Sequence, residues 1–116
     1  MSRRDPRLFL ADILEAIEKI ERYTRGLSRE ALWQDDLVAD AVVRNLEIIG
    51  EAARYLPDEL RGKAADIDWR RVVGLRNVVV HEYFAIDLDV VWVVVKRNLP
   101  QLKKAVRSLL SAGEDS

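Results

Sequence analysis

The chain has no cysteine and only one histidine in 116 residues. The first absence removes disulfides, thiolate metal sites and cysteine nucleophiles. The second removes any site that needs two imidazoles from one copy of the chain. Five glycines and three prolines are too few for the repeated turns of an all-β domain. Long apolar runs are missing too: the best, Val90–Val95, falls far short of the roughly 20 residues that span a bilayer. The basic start, Ser2-Arg3-Arg4, leads into no signal-peptide core, so a cytoplasmic protein with no membrane association is expected. Charge of one sign is also lacking. Nineteen basic against twenty acidic residues leave a net charge of −1, which argues against sequence-blind coating of nucleic acid but leaves a local basic groove open.

What is present is apolar spacing of helical period. With 49% hydrophobic and 34% charged residues, the length suits one domain over residues 1–116 around one core. Leu10, Ile13, Leu14, Ile17 and Ile20 predict a helix over about 6–25, opened by Asp5-Pro6 and stopped at Gly26. Ser28, Ala31, Leu32 and Trp33 suggest a short connecting turn. Asp35 or Asp36 caps a second long helix whose core stripe reads Leu37, Ala41, Val42, Leu46, Ile49, Ala52 and Ala53, ending before Pro57. Residues 57–67 read as a loop. Asp68 caps a third helix with apolar Trp69, Val72, Val73, Val79 and Val80, although Val78-Val79-Val80 would suit a strand equally. A fourth helix runs from near Asp87 to about Leu110, kinked at Pro100. The expected fold is all-α, an up-and-down bundle of four to five helices.

The most informative stretch surrounds the histidine. Arg76, Asn77, His81, Glu82 and Tyr83 crowd one predicted helix end. Asn77 and His81 stand one turn apart, so the amide is within reach of the ring and can fix its tautomer. Arg76 offers a planar, bidentate phosphate clamp near a group that titrates around neutrality, a pairing that suits phosphodiester chemistry. Spacing alone favours a plainer reading, a solvated helix-end histidine beside a surface arginine.

Arg76, the polar Asn77, His81 and Tyr83 form an R-x4-H-x-Y pattern that resembles the HEPN-domain proteins, and among them the HepT-like (DUF86) toxins. Asn45-Leu46-Glu47-Ile48-Ile49-Gly50-Glu51-Ala52 is similar to that family's second-helix segment, Ile67-Asp68-Trp69 to its approach to the motif, and Asn98-Leu99-Pro100 to the break in its last helix. The resemblance covers nearly the whole chain. It implies a homodimeric HEPN bundle acting as a metal-independent endoribonuclease toxin of a type VII toxin–antitoxin pair, with an MntA-like minimal nucleotidyltransferase as antitoxin. It further implies that Tyr83 receives AMP from that antitoxin, which would block and repel incoming RNA. No cofactor is implied.

On this reading His81 moves protons, Arg76 meets the non-bridging phosphate oxygens, and Asn77 supports the ring or the phosphate, while the RNA's 2′-hydroxyl is the nucleophile. One histidine does not readily serve as both acid and base, which independently motivates a homodimer with both motifs at a shared cleft. Further assembly with the antitoxin is open. Arg70 and Arg71 are candidate RNA contacts within a basic stretch that includes Arg54, Arg61, Lys63 and Arg76. Lys96, Arg97, Lys103, Lys104 and Arg107 could extend the same rim. Glu47 and Glu51, with Asp36 and Asp40, read as a solvated acidic face and not as a metal site. Trp33, Trp69 and Trp92 read as core or interface anchors, and Gly50 as a close helix contact. The rival readings are a non-catalytic HEPN scaffold or substrate-binding partner of a nucleotidyltransferase, and a purely structural helical dimer.

Overall fold

The computed structural model describes residues 5–81 and 88–114, with side chains described over 5–76 and 89–112. Among the described residues the regular structure is entirely helical. Helix α1, Pro6–Thr24, begins where the Asp5 carboxylate accepts a hydrogen bond from the Arg7 amide at 2.9 Å. Leu10, Ile13, Ile17 and Ile20 are fully buried along it, as their spacing requires. It stops before Gly26, whose φ of +76° is readily adopted only without a Cβ.

Ser28 opens α2, Arg29–Gln34, by accepting from the Ala31 amide at 3.1 Å. The expected connecting turn is thus a short helix. Asp35 caps α3, Asp36–Arg54, by accepting from the Val38 amide at 3.1 Å. Val42, Leu46, Ile49, Ala52 and Ala53 of α3 are buried as expected, but Leu37 is not: it is 83% exposed. Position 37 lies in the first turn of α3, where the helical stripe continues but no described element covers it.

The stretch read as a loop holds another short helix, α4, Asp58–Gly62, which follows Pro57 with Asp58 and Glu59 in its first turn, a favourable placement for acids. Helix α5 spans Trp69–His81. The expected fourth helix is divided into α6, Leu88–Val93, a π-helical turn at Val94–Asn98, and α7, Leu99–Glu114. Leu99 donates its amide hydrogen to the Val94 carbonyl, five residues back. Pro100 has no amide hydrogen to continue the regular ladder and its ring crowds the carbonyl four residues before it, so the wider turn is where the expected disruption falls. The cap expected at Asp87 lies outside the described residues.

α3 is the central element, packed against α1 on one side and α5 on the other, while α7 packs on α1. The bundle measures 46 × 29 × 24 Å. None of the described helices is long and apolar enough to cross a membrane.

Candidate functional site

Helix α5 is fixed at both its start and its middle. Trp69 is buried, and its indole N–H is shared between the carbonyls of Arg61 at 3.2 Å and Ala64 at 3.1 Å. The Asp68 carboxylate accepts from the Arg71 amide at 3.2 Å. Farther along, α5 presses on α3 at Gly50, where a Cβ would stand 2.6 Å from the Arg76 amide nitrogen and 3.0 Å from the Val73 carbonyl oxygen. The absence of a side chain at Gly50 therefore sets how closely Arg76 approaches α3.

That approach places Arg76 beside Glu51. Their closest contact, 3.3 Å, runs through the arginine Nε, leaving the two terminal nitrogens to meet a second partner. Glu51 also lies 3.7 Å from Arg54. Both members of the Arg76–Glu51 pair are about two-fifths exposed, at 39% and 43%, so water screens the attraction and a competing phosphate faces a weak opponent. Glu51 thus holds the guanidinium without burying it. Neither composition nor local spacing pointed to this role; the only signal was the Gly50-Glu51 pair on a predicted packing face.

The α5 backbone is helical through Val78, Val79 and Val80 to His81, which decides the helix-or-strand ambiguity. Arg76, Asn77 and His81 therefore occupy one uninterrupted helix, although the side chains of Asn77 and His81 lie outside those described. Tyr83 lies outside the described residues altogether. Arg70, Gly74, Asn77 and His81 fall at steps of four, three and four residues, one stripe of the helix. Arg70 and Arg71 are exposed, and neither is ion-paired with another described residue.

Other basic residues have structural partners. Arg61 donates to the carbonyls of Ala53 and Arg54, both at 3.0 Å, closing the C-terminal end of α3. Lys103 meets Glu21 at 2.7 Å and Arg107 meets Glu18 at 3.7 Å, tying α7 to α1. Arg61 and Lys103 drop out of the expected RNA-facing rim, because their charges are directed at other helices; the Arg107 pair is more exposed than Arg76–Glu51 and leaves Arg107 available to it. Glu47 meets Arg44 at 3.2 Å; among the described residues no trio of histidine and carboxylates gathers as a metal site. Trp69 is a core anchor, whereas Trp33 is exposed with Arg29 over its ring at 5.2 Å, and Trp92 is half-buried under Lys96 at 4.8 Å.

The site has a neighbour that the sequence did not reveal. A groove of about 500 Å³ lies between α5 and the broken α6–α7 helix, with Leu75 and Leu102 among its apolar walls and Arg71 and Asn98 at its rim. A smaller cavity of about 260 Å³, between α1 and α3, reaches Glu51 from the other side.

Residues 13–109 match the family described as ribonuclease HepT-like. The chain is 41% identical to the "Putative RNase MJ1380" of Methanocaldococcus jannaschii over 91% of its own length and 97% of that protein's. It is 36% identical to the "Putative RNase TTE0752" of Caldanaerobacter subterraneus, over 92% and 96% of the two chains. It is 40% identical to the "Probable ribonuclease HepT" of Thermococcus cleftensis, over 87% and 92%. No solved structure matches it with comparable significance. With the resemblance read from the motif now met by a match across most of its length, the chain belongs to the ribonuclease HepT-like family.

Proposed function

We propose that the chain is a metal-independent endoribonuclease that cuts RNA through the substrate's own 2′-hydroxyl. The observation that carries this reading is the unbroken helix α5, which sets Arg76 and His81 five residues apart in a chain that belongs to a ribonuclease-named family. The 2′-oxygen attacks the adjacent phosphorus and gives up its proton. The bond to the 5′-oxygen breaks, and that oxygen takes a proton. The products are a 2′,3′-cyclic phosphate and a 5′-hydroxyl. His81 is assigned to proton transfer, Arg76 to the non-bridging oxygens where negative charge grows, and Asn77 to orienting the ring or the phosphate. Charge-assisted contact from the two terminal nitrogens of Arg76 to a phosphate is stronger than the exposed pairing of its Nε with Glu51, so the guanidinium can take up substrate while Glu51 still orients it.

One histidine per chain supplies one proton-transfer group. A homodimer that brings two copies of α5 to a common cleft would supply both base and acid. We further propose that the protein is the toxin of a type VII pair, restrained when an MntA-like nucleotidyltransferase adds AMP to Tyr83, and that Arg70 and Arg71 contact RNA. Support for these parts comes from the R-x4-H-x-Y pattern and from the exposure of the two arginines.

The test is cleavage of labelled RNA in EDTA by unmodified protein, beside His81→Ala and beside an all-deoxy substrate. Cleavage by wild type alone, on RNA alone, with cyclic-phosphate ends, is expected. Equal cleavage by His81→Ala would overturn the assignment, and an inert wild type would favour the non-catalytic scaffold. Growth arrest on expression, relieved by the co-expressed nucleotidyltransferase together with AMP-sized mass additions at Tyr83, checks the regulatory part.

A further inference from the structure

We propose that the groove between α5 and the α6–α7 break receives a nucleobase of single-stranded RNA flanking the scissile phosphate. This inference rests on the ribonuclease reading and adds where the substrate is gripped.

The groove has the chemistry of a base slot. Its walls include Leu75, Val94 and Leu102, and its rim carries the polar groups of Arg71, Asn98 and Gln101. A nucleobase has two apolar faces and an edge of donors and acceptors, and RNA-binding proteins read unstacked bases by enclosing the faces and hydrogen-bonding the edge. At about 500 Å³ the space falls within the ordinary range of small-ligand sites. Two acids at the rim do not oppose this. Asp68 is occupied with the Arg71 amide at the start of α5, and Asp66 offers an acceptor to a base amino group.

Gly74 supplies a second observation. It lies at mid-helix on the groove's lip, and a Cβ there would meet no described atom within 4 Å. Glycine weakens a helix relative to alanine, and at Gly50 the close approach of α5 explains its presence. At Gly74 no neighbour among the described residues does. Room is kept there for something arriving from outside.

The π turn is the third. Val94 and Asn98 both belong to it, and turns of this kind re-aim side chains and recur at functional sites. Gly74 shares its stripe of α5 with Arg70 on one side and with the Asn77 and His81 positions on the other. A strand whose base enters over Gly74 would carry its phosphates past the exposed Arg70 and Arg71 and along α5 towards His81. The polar groups around the groove, Asp66, Arg71, Asn98 and Gln101, favour the edge of an RNA base over a second copy of this chain.

The experiment uses the full unmodified chain as wild type, Gly74→Ala and Asn98→Ala. The binding probe is fluorescein-labelled single-stranded 2′-O-methyl RNA, which lacks the nucleophilic hydroxyl, in versions rich in each base. Gly74→Ala should melt a few degrees higher than wild type yet bind the probe about tenfold more weakly, the value of one stacked base, with the loss in RNA cleavage carried by KM. Asn98→Ala should change the ranking of the four bases. A Gly74→Ala protein that is more stable and binds probe as wild type does would overturn the proposal. So would a change in its oligomer mass with RNA affinity untouched, which would give the face to a second copy. Failure of the two readings is distinguishable. A wild type that binds probe and cuts nothing in EDTA sinks the ribonuclease reading alone, whereas one that cuts RNA while both groove variants bind and rank bases normally sinks the base slot alone.

Discussion

Replacing Gly50 by alanine adds one methyl group where the structure has no space for it. The new Cβ would stand 2.6 Å from the Arg76 amide nitrogen, and ordinary contact begins near 3.4 Å, so α3 and α5 must part by about 0.8 Å, the difference of the two. The obstructing atoms are backbone and cannot swing aside. Overpacking of this sort costs about 1–3 kcal/mol, and a rigid obstacle puts Gly50→Ala at the upper end. Against this, alanine gains about 1 kcal/mol of helix propensity. The net loss is about 2 kcal/mol, or about 8 °C in Tm at about 4 °C per kcal/mol for a domain of this size. The same substitution at Gly74, with nothing within 4 Å, has only the propensity gain and should raise Tm by about 4 °C. Paired thermal melts followed by circular dichroism read both. RNA cleavage should fall in Gly50→Ala by as much as about a hundredfold, because a displacement near 1 Å at a positioning contact can have that effect. A Gly50→Ala protein that melts at or above wild type would refute the claim that this contact sets the α3–α5 spacing.

Three further outcomes follow from other contacts. Glu51→Gln should leave Tm within the range expected of an exposed ion pair, under about 1 kcal/mol, while lowering RNA cleavage about tenfold through the loosened Arg76; unchanged turnover would remove Glu51 from any positioning role. Trp69→Phe deletes the indole N–H shared by the Arg61 and Ala64 carbonyls and should lower stability by about 1–3 kcal/mol, seen as an earlier urea midpoint. Arg61→Met keeps the aliphatic stem but abandons the carbonyls of Ala53 and Arg54. A loss of about 1–2 kcal/mol is expected, and an unchanged urea midpoint would show that those carbonyls are served equally well by water.

The long helices were legible because their signals are local. Asp5-Pro6 and Asp35 mark starts through their own side chains, and the Leu10 to Ile20 stripe states its period directly. The short α2 and α4 were missed because five or six residues hold too little of a repeat to separate a helix from a turn. Leu37 misled for a related reason: periodicity tells which residues share a face, and not how far along the helix the neighbour extends. In the candidate site, Arg76, Asn77 and His81 lie on one helix, so their spacing announced them. Glu51 did not announce itself, since its partner belongs to another helix and only the packing at Gly50 brings the two together. The same limit applied to Lys103, counted as RNA-facing by its basic neighbours although it reaches Glu21, 82 residues away in sequence. Pro100 signalled an interruption, but its form as a wider turn depended on α6 and α7 both needing to pack.

That wider turn also keeps time for the last third of the chain. Val91, Val95 and Leu99 are all buried at steps of four and four, and an α-helix of 3.6 residues per turn would let such a series drift round by about 40° per step. Beyond Leu99 the buried positions Leu102, Val106 and Leu109 return to steps of three, four and three, which an ordinary helix sustains. The π turn therefore behaves as one surplus residue lodged between two correctly phased helices. Deleting a single exposed position there, such as Arg97, would take out the surplus and let α6 and α7 run on as one α-helix with their buried faces still in phase, whereas the same deletion at an exposed position within α7 would turn the faces on either side of it about 100° out of step.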